Sequence, residues 1–260
     1  MENYQTLKVE IKDQVALLFL ARPEVHNALN GNMILEITDC FKQLENRKEI
    51  RIVVLRGIGK SFCSGADLGW MKNAFALSEQ ENIKESVDLS TMFKSIYKSS
   101  KIVISAIHGN TYGGGIGIVA ACDLSYCLAN SKFSLSETRL GMAAATITPY
   151  LLHKIHVSDL KELIFTARSF SGEEAQILRL VNQAFTTIEN MDFKINSIIE
   201  QILSNGKLAL VESKRLINLL TQKFMDSEME QIPNLFSRIR VSEEAREGFS
   251  AFLEKRKPNW

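Results

Sequence analysis

The sequence lacks the spacings that mark a metal or disulfide site. Its four cysteines, Cys40, Cys63, Cys122 and Cys127, form no CxxC pair, and no cysteine–histidine spacing suggests zinc. Charge of one sign is lacking too. The 31 basic and 30 acidic residues leave a net charge of +1, which gives no general field for nucleic acid or an anionic membrane. Long apolar runs are missing as well. The N-terminal MENYQTLKVEIKDQ is polar and charged, unlike a secretory signal. VALLFLA (residues 15–21) falls far short of the roughly 20 residues of a membrane span. Internal repeats and low-complexity linkers are absent. The expectation is a cytoplasmic protein from a reducing compartment, with no metal, no nucleic-acid partner and no membrane.

What remains is a chain of 260 residues, 45% hydrophobic, long enough for one large domain or one domain plus an appendage. LKVEIK alternates apolar and polar residues as a half-buried strand does, and KDQ before VALLFLA predicts a hairpin. IRIVVLRG and KIVISAIHG are buried strands by composition. Met33, Ile37, Phe41 and Leu44 recur at helical spacing, and a polar helix is expected around residues 78–97. Beyond Pro149 the periodicity turns helical, with Ser158 and Ser171 as expected caps. From Asn190 onward FKINSIIEQILSN, LALVESKRLINLLTQKF and VSEEAREGFSAFLEKRKP all predict helix. Strands alternating with helices predict an α/β core. We place that core at residues 1–195 and a C-terminal helical region at 196–260.

Two stretches share one physical logic. In LRG…FCSGAD and AIHGNTYGGGIG, a buried strand ends in small residues and a helix follows. Glycine permits positive φ and close backbone approach. The N–H groups opening a helix have no intrahelical partner and sit at the positive end of its dipole. Two such turns side by side can aim two donors at one oxygen, an oxyanion hole. Taken singly, each turn is also an ordinary packing turn. GGGIG lacks the Lys-Ser/Thr of a P-loop and the spacing of a dinucleotide fingerprint, and CSGAD does not fit the G-x-S-x-G elbow of a serine nucleophile.

Five stretches, in order, resemble the crotonase (enoyl-CoA hydratase/isomerase) superfamily: RPEVHNALN, FCSGADL, HGNTYGGGIGIVAACD, FSLSETRLG and EAREGFSAFLEKRKP. The resemblance implies a ββα spiral core with a C-terminal helical region, assembled as a homotrimer or dimer of trimers. It also implies an acyl-CoA thioester substrate, with coenzyme A as part of that substrate rather than a cofactor. The thioester oxygen would sit between the N–H groups of Ala66 and Gly114, where fixed donors stabilise an enolate-like anion.

The family's acid/base carboxylates map onto Gly117, where the glutamate is absent, and onto Glu137, which retains it. Partial burial would raise the Glu137 pKa into a useful range; outside the motif it would be a cap or surface residue. GADLGWMK, GGGIGIVAACD and FSLSETRLGMAAATITPYLL look like the bacterial methylglutaconyl-CoA hydratase branch, linked to leucine breakdown. MAAATITP replaces the Pro-Gly-rich run of common hydratases, which argues for a different acyl pocket. A glutaconyl chain carries a distal carboxylate, for which Arg139 is the candidate partner or else a structural arginine. Trp70 and Met71 are expected at the lip of the first turn, on the acyl or pantetheine chain or in the core. Ser64 matches a backbone contact to adenine. Phe252 and Lys255 match positions that meet adenine and phosphates. His108 is expected to pack the turn, and Asp67 to act as a loop or cap residue. The implied activity is hydration of an enoyl-CoA. Isomerisation between Δ3 and Δ2 double bonds, or acyl-CoA binding without chemistry, are the alternatives.

Overall fold

A computed structural model of the chain describes residues 4–221 and 231–260. Strands β1 (Leu7–Lys12) and β2 (Val15–Leu20) form the expected antiparallel hairpin, with Lys12 opposite Val15 across a two-residue turn. The positive φ of Asp13, 52°, makes that tight reversal. β2 then pairs in parallel with β3 (Ile52–Gly57). β5 (Ile102–Ile107), β7 (Leu124–Leu128) and β10 (Gln183–Phe185) extend the sheet in the order β1-β2-β3-β5-β7-β10. Its inner strands are covered on both faces, so IVVL and VISAI read as continuous apolar runs rather than alternating ones.

One face is covered by α1 (Gly31–Asn46), which starts where the Asn30 side chain accepts from the Met33 N–H at 2.9 Å. It buries Met33, Ile34, Ile37, Cys40, Phe41 and Leu44, each apolar side chain contributing about 1.5–3 kcal/mol. The other face is covered by α8 (Ile188–Ser204), whose Met191 and Ile195 pack with Val15, Ile52, Val54 and Ile104. The line between residues 195 and 196 therefore runs through the middle of one helix.

A second sheet, β4-β6-β8-β9, is built from three-residue strands: Ser61–Cys63, Asn110–Tyr112, Lys132–Ser134 and Ser169–Ser171. Between the strands lie α2 (Leu68–Ala74), α3 (Glu79–Tyr97) and α4 (Gly114–Ala121). They are followed by α5 (Thr148–Leu151), α6 (Val157–Thr166) and α7 (Gly172–Ile177). Ser171 caps α7 as expected, accepting from the Glu174 N–H. Ser158 does not cap α6. The N-cap is His156, whose ring nitrogen faces the Ser158 N–H, so the helix begins before the serine.

α9 (Lys207–Thr221) covers LALVESKRLINLLT, while the end of that expected helix, residues 222–224, lies outside the described residues. α10 (Ile232–Arg240) and α11 (Glu243–Leu253) return to the core. Arg240 anchors α10: its guanidinium lies 4.1 Å from the Trp70 ring, and Nη1 is 2.8 Å from Glu85 Oε2 on α3. α11 meets the turn after β8 so closely that a Cβ on Gly248 would come within 2.5 Å of Leu140 C. Among the described residues no helix is long and apolar enough to cross a membrane.

Candidate active site

The site grows from the pairing of β4 with β6. Ser61 lies opposite Asn110 and Cys63 opposite Thr111, in parallel, so the turns leaving both strands stand side by side. Each needs a glycine: φ is 93° at Gly65 and 48° at Gly113, the left-handed region that side chains avoid. The turns touch, since a Cβ on Gly65 would lie 3.0 Å from Tyr112 O. Leu29 donates to Gly65 O at 2.7 Å and accepts from the Asp67 N–H at 2.9 Å. That bridge passes over Ala66, whose own N–H makes no hydrogen bond among the described residues. Gly114 is the first residue of α4, so its N–H has no intrahelical partner, and it donates to no other element described. Two unpaired donors thus flank one turn pair.

The stretch RPEVHNALN supports this pair, a role its sequence alone does not reveal. Arg22 Nη2 pairs with Asp67 Oδ2 at 2.9 Å, and Nη1 donates to Ala28 O. Buried Asn27 donates to Ser61 O at 2.8 Å and to Ile58 O at 2.9 Å. Asp67 is the N-cap of α2, as expected of a cap residue, accepting from the N–H groups of Gly69 and Trp70. His108 packs the turn as expected, with Nε2 2.9 Å from Gly59 O. Cys63 is fully buried, and burial pushes its thiol up to about 12, so it offers no thiolate near neutral pH.

A cavity of about 450 Å³ opens over the turns. Glu137 projects into it from the 3-10 turn Glu137–Leu140 that follows β8. A Cβ on Gly113 would lie 3.1 Å from Glu137 Oε1, which puts the carboxyl against the glycine turn. The residue as a whole is half-buried, but Oε2 is fully hidden and has no hydrogen-bond partner. Loss of solvation raises its pKa from 4.5 to about 7. An acid held there can both take and return a proton near neutral pH. Glu137 is the one carboxyl lining the cavity among the described residues.

Of the other expected site residues, Ser64, Ala66, Trp70, Met71, Gly114, Arg139 and Phe252 line the same cavity. Trp70 and Met71 are buried, so they form wall and core at once rather than a lip. Phe252 is half-exposed, and Arg139 is exposed and joins none of the ion pairs among the described residues. Lys255, expected at the CoA phosphates, is exposed outside the cavity, with φ 54°. One expectation is displaced. Gly117 is buried one turn into α4, behind the wall: a Cβ there would run into Ile147 Cγ2 and come within 2.7 Å of the Phe93 ring. The space next to a carboxylate at that position is filled by hydrocarbon.

Paired backbone donors beside a single buried carboxyl define a site for proton transfer next to a carbonyl. The model of the enoyl-CoA hydratase/isomerase family matches residues 10–260, and the chain belongs to that family. It is 31% identical over 261 residues to a crotonyl-CoA hydratase of Syntrophomonas wolfei, covering 99% of this chain and 98% of the relative. It is also 31% identical over 273 residues to a peroxisomal Δ(3,5)-Δ(2,4)-dienoyl-CoA isomerase of Arabidopsis thaliana, covering 100% and 98%. The crystal structure of an enoyl-CoA hydratase from Mycobacterium avium superposes with a TM-score of 0.88 at 29% identity, covering 98% of this chain and 99% of that one. The crotonase-like fold expected from the sequence is the fold observed.

Proposed function

We propose that this protein adds water across the Cα–Cβ bond of an enoyl-CoA thioester, with 3-methylglutaconyl-CoA as its substrate. The reading is carried by Glu137: a carboxyl with one buried, unpartnered oxygen and a pKa near 7, set against a turn whose neighbouring N–H groups are free. The thioester oxygen accepts from Ala66 N–H and Gly114 N–H. Glu137 as carboxylate takes a proton from water while the water oxygen bonds to Cβ. The π electron pair moves to the thioester oxygen as an enolate. Glu137, now the acid, returns the proton to Cα, and one water is consumed per 3-hydroxyacyl-CoA formed. Losing one N–H donor from such a hole costs about 3–4 kcal/mol of transition-state stabilisation.

The glutaconyl assignment rests on the resemblance of GADLGWMK, GGGIGIVAACD and FSLSETRLGMAAATITPYLL to the methylglutaconyl-CoA hydratase branch; Arg139, the one cation lining the cavity among the described residues, is the candidate partner of the distal carboxylate. A trimer or dimer of trimers is the assembly we propose. Exposed Leu208, Leu216, Ile217, Leu219 and Leu220 on α9 support it, as large apolar patches mark interaction surfaces.

Isomerisation is the second reading, and the hydrocarbon packed against Gly117 favours it: one carboxyl suffices to move a proton from Cα to Cγ. Turnover in ¹⁸O-water decides between them. A hydratase leaves label in the 3-hydroxyacyl product of a panel of enoyl-, glutaconyl- and 3-methylglutaconyl-CoA, run beside the β,γ-unsaturated but-3-enoyl-CoA. A product without label, formed only from β,γ-unsaturated substrates, refutes the hydratase.

A further inference from the structure

With hydrocarbon packed against Gly117, the attacking water needs a second partner besides Glu137. A water held by one carboxylate oxygen alone is free to rotate, and its lone pair is not fixed on Cβ. The cavity wall offers several hydroxyls. Ser64 donates to Val25 O and Ser134 to Ala167 O, so both protons are committed. Tyr112, Ser136 and Ser169 stand at more open positions of the wall.

Thr146 differs from all of these. It lines the cavity, is 5% exposed, and its hydroxyl makes no hydrogen bond among the described residues. Its oxygen is nevertheless not among the fully hidden, unsatisfied side-chain atoms, so it is reached from the cavity rather than sealed in the core. Its chain neighbour Ile147 supplies the methyl that packs against Gly117. Thr146 and Ile147 both line the cavity, so the hydroxyl and the side chain that closes off position 117 belong to one stretch of its wall. An uncommitted hydroxyl on a residue this buried needs a partner, and a water in the cavity that Glu137 also lines supplies one.

We propose that Thr146 is the second holder of the attacking water, taking the place of the missing carboxylate at position 117. This rests on the hydratase reading above. Thr146 Oγ1 accepts the hydrogen that the water keeps, Glu137 takes the one it loses, and the remaining lone pair points at Cβ. No proton leaves the threonine, so the balance of the hydration is unchanged. Its side chain is a positioning group acting through the water, and it has no part in steps that use no water.

The test compares Thr146→Val and Thr146→Ser with the unaltered protein in two assays. One is hydration of crotonyl-CoA and 3-methylglutaconyl-CoA in ¹⁸O-water. The other is exchange of the Cα hydrogens of butyryl-CoA in D₂O, which needs Glu137 and the two N–H groups but no attack by water. Thr146→Val is expected to lower hydration kcat by tenfold or more with KM within threefold, while Cα exchange falls less than threefold; Thr146→Ser restores most of the hydration. Equal hydration by Thr146→Val, or parallel loss of hydration and exchange, overturns the water-holding role and leaves the hydratase reading standing. Absence of label from the unaltered protein's products overturns both.

Discussion

Replacing Glu137 by glutamine should make the protein more stable in alkali than it is unaltered. The folded chain raises this carboxyl from 4.5 to about 7 by stripping it of water. At about 1.4 kcal/mol per pH unit, holding the ionised form in the cavity costs on the order of 3 kcal/mol. The sign follows from proton counting. Between pH 4.5 and about 7 the folded state holds the Glu137 proton and the unfolded state has released it, so stability falls as pH rises through that window. Below it the carboxyl is neutral in both states and the cost vanishes. Glutamine is neutral throughout. Thermal or urea unfolding of both proteins at pH 5 and pH 8 should show an advantage of under about 1 kcal/mol at the lower pH, near the start of that window. At the higher pH Glu137→Gln should gain roughly 2–3 kcal/mol, or several degrees in Tm for a chain of this size. An advantage that does not change between pH 5 and pH 8 refutes the burial of an ionisable carboxyl in this cavity.

Three other perturbations probe the frame of the site. Gly113→Ala places a Cβ 3.1 Å from Glu137 Oε1 at a φ of 48°; we expect about 1–2 kcal/mol lost in unfolding and a fall of more than tenfold in kcat. Gly117→Ala drives a methyl into Ile147 and Phe93 and should cost about 1–3 kcal/mol of stability by overpacking, read as a lower urea midpoint. Arg139→Gln should raise KM for 3-methylglutaconyl-CoA about tenfold while leaving crotonyl-CoA within twofold, measured from the loss of thioester-conjugated absorbance.

The long elements were legible in the sequence because burial wrote them there. The β1–β2 hairpin, the apolar runs of β3 and β5, and α1 with its 3.6-residue stripe carry their partners in their pattern. The second sheet was not legible: strands of three residues such as SFC and NTY show no period, and pairing across 49 residues is decided by the tertiary frame. Glycines and their order point to two neighbouring turns, and the structure adds what they cannot, a Leu29 bridge that skips Ala66 and leaves its N–H unpaired. Ser158 failed as a cap because a histidine two residues earlier presents an acceptor as well. Arg240 and Thr146 left no signal. A buried arginine in α10 is recognisable only once Trp70 and Glu85 are placed around it. A threonine becomes informative only when its hydroxyl is found without a partner.

In the mechanism proposed, one buried carboxyl performs the proton transfers on an acyl-CoA held by two backbone N–H groups. The most direct measurement pairs steady-state turnover of 3-methylglutaconyl-CoA and crotonyl-CoA with calorimetric binding of a non-reactive acyl-CoA, for the unaltered protein and for Glu137→Gln. Turnover by Glu137→Gln should fall about 10²–10⁴-fold with acyl-CoA affinity within threefold. Turnover by Glu137→Gln equal to that of the unaltered protein would contradict it.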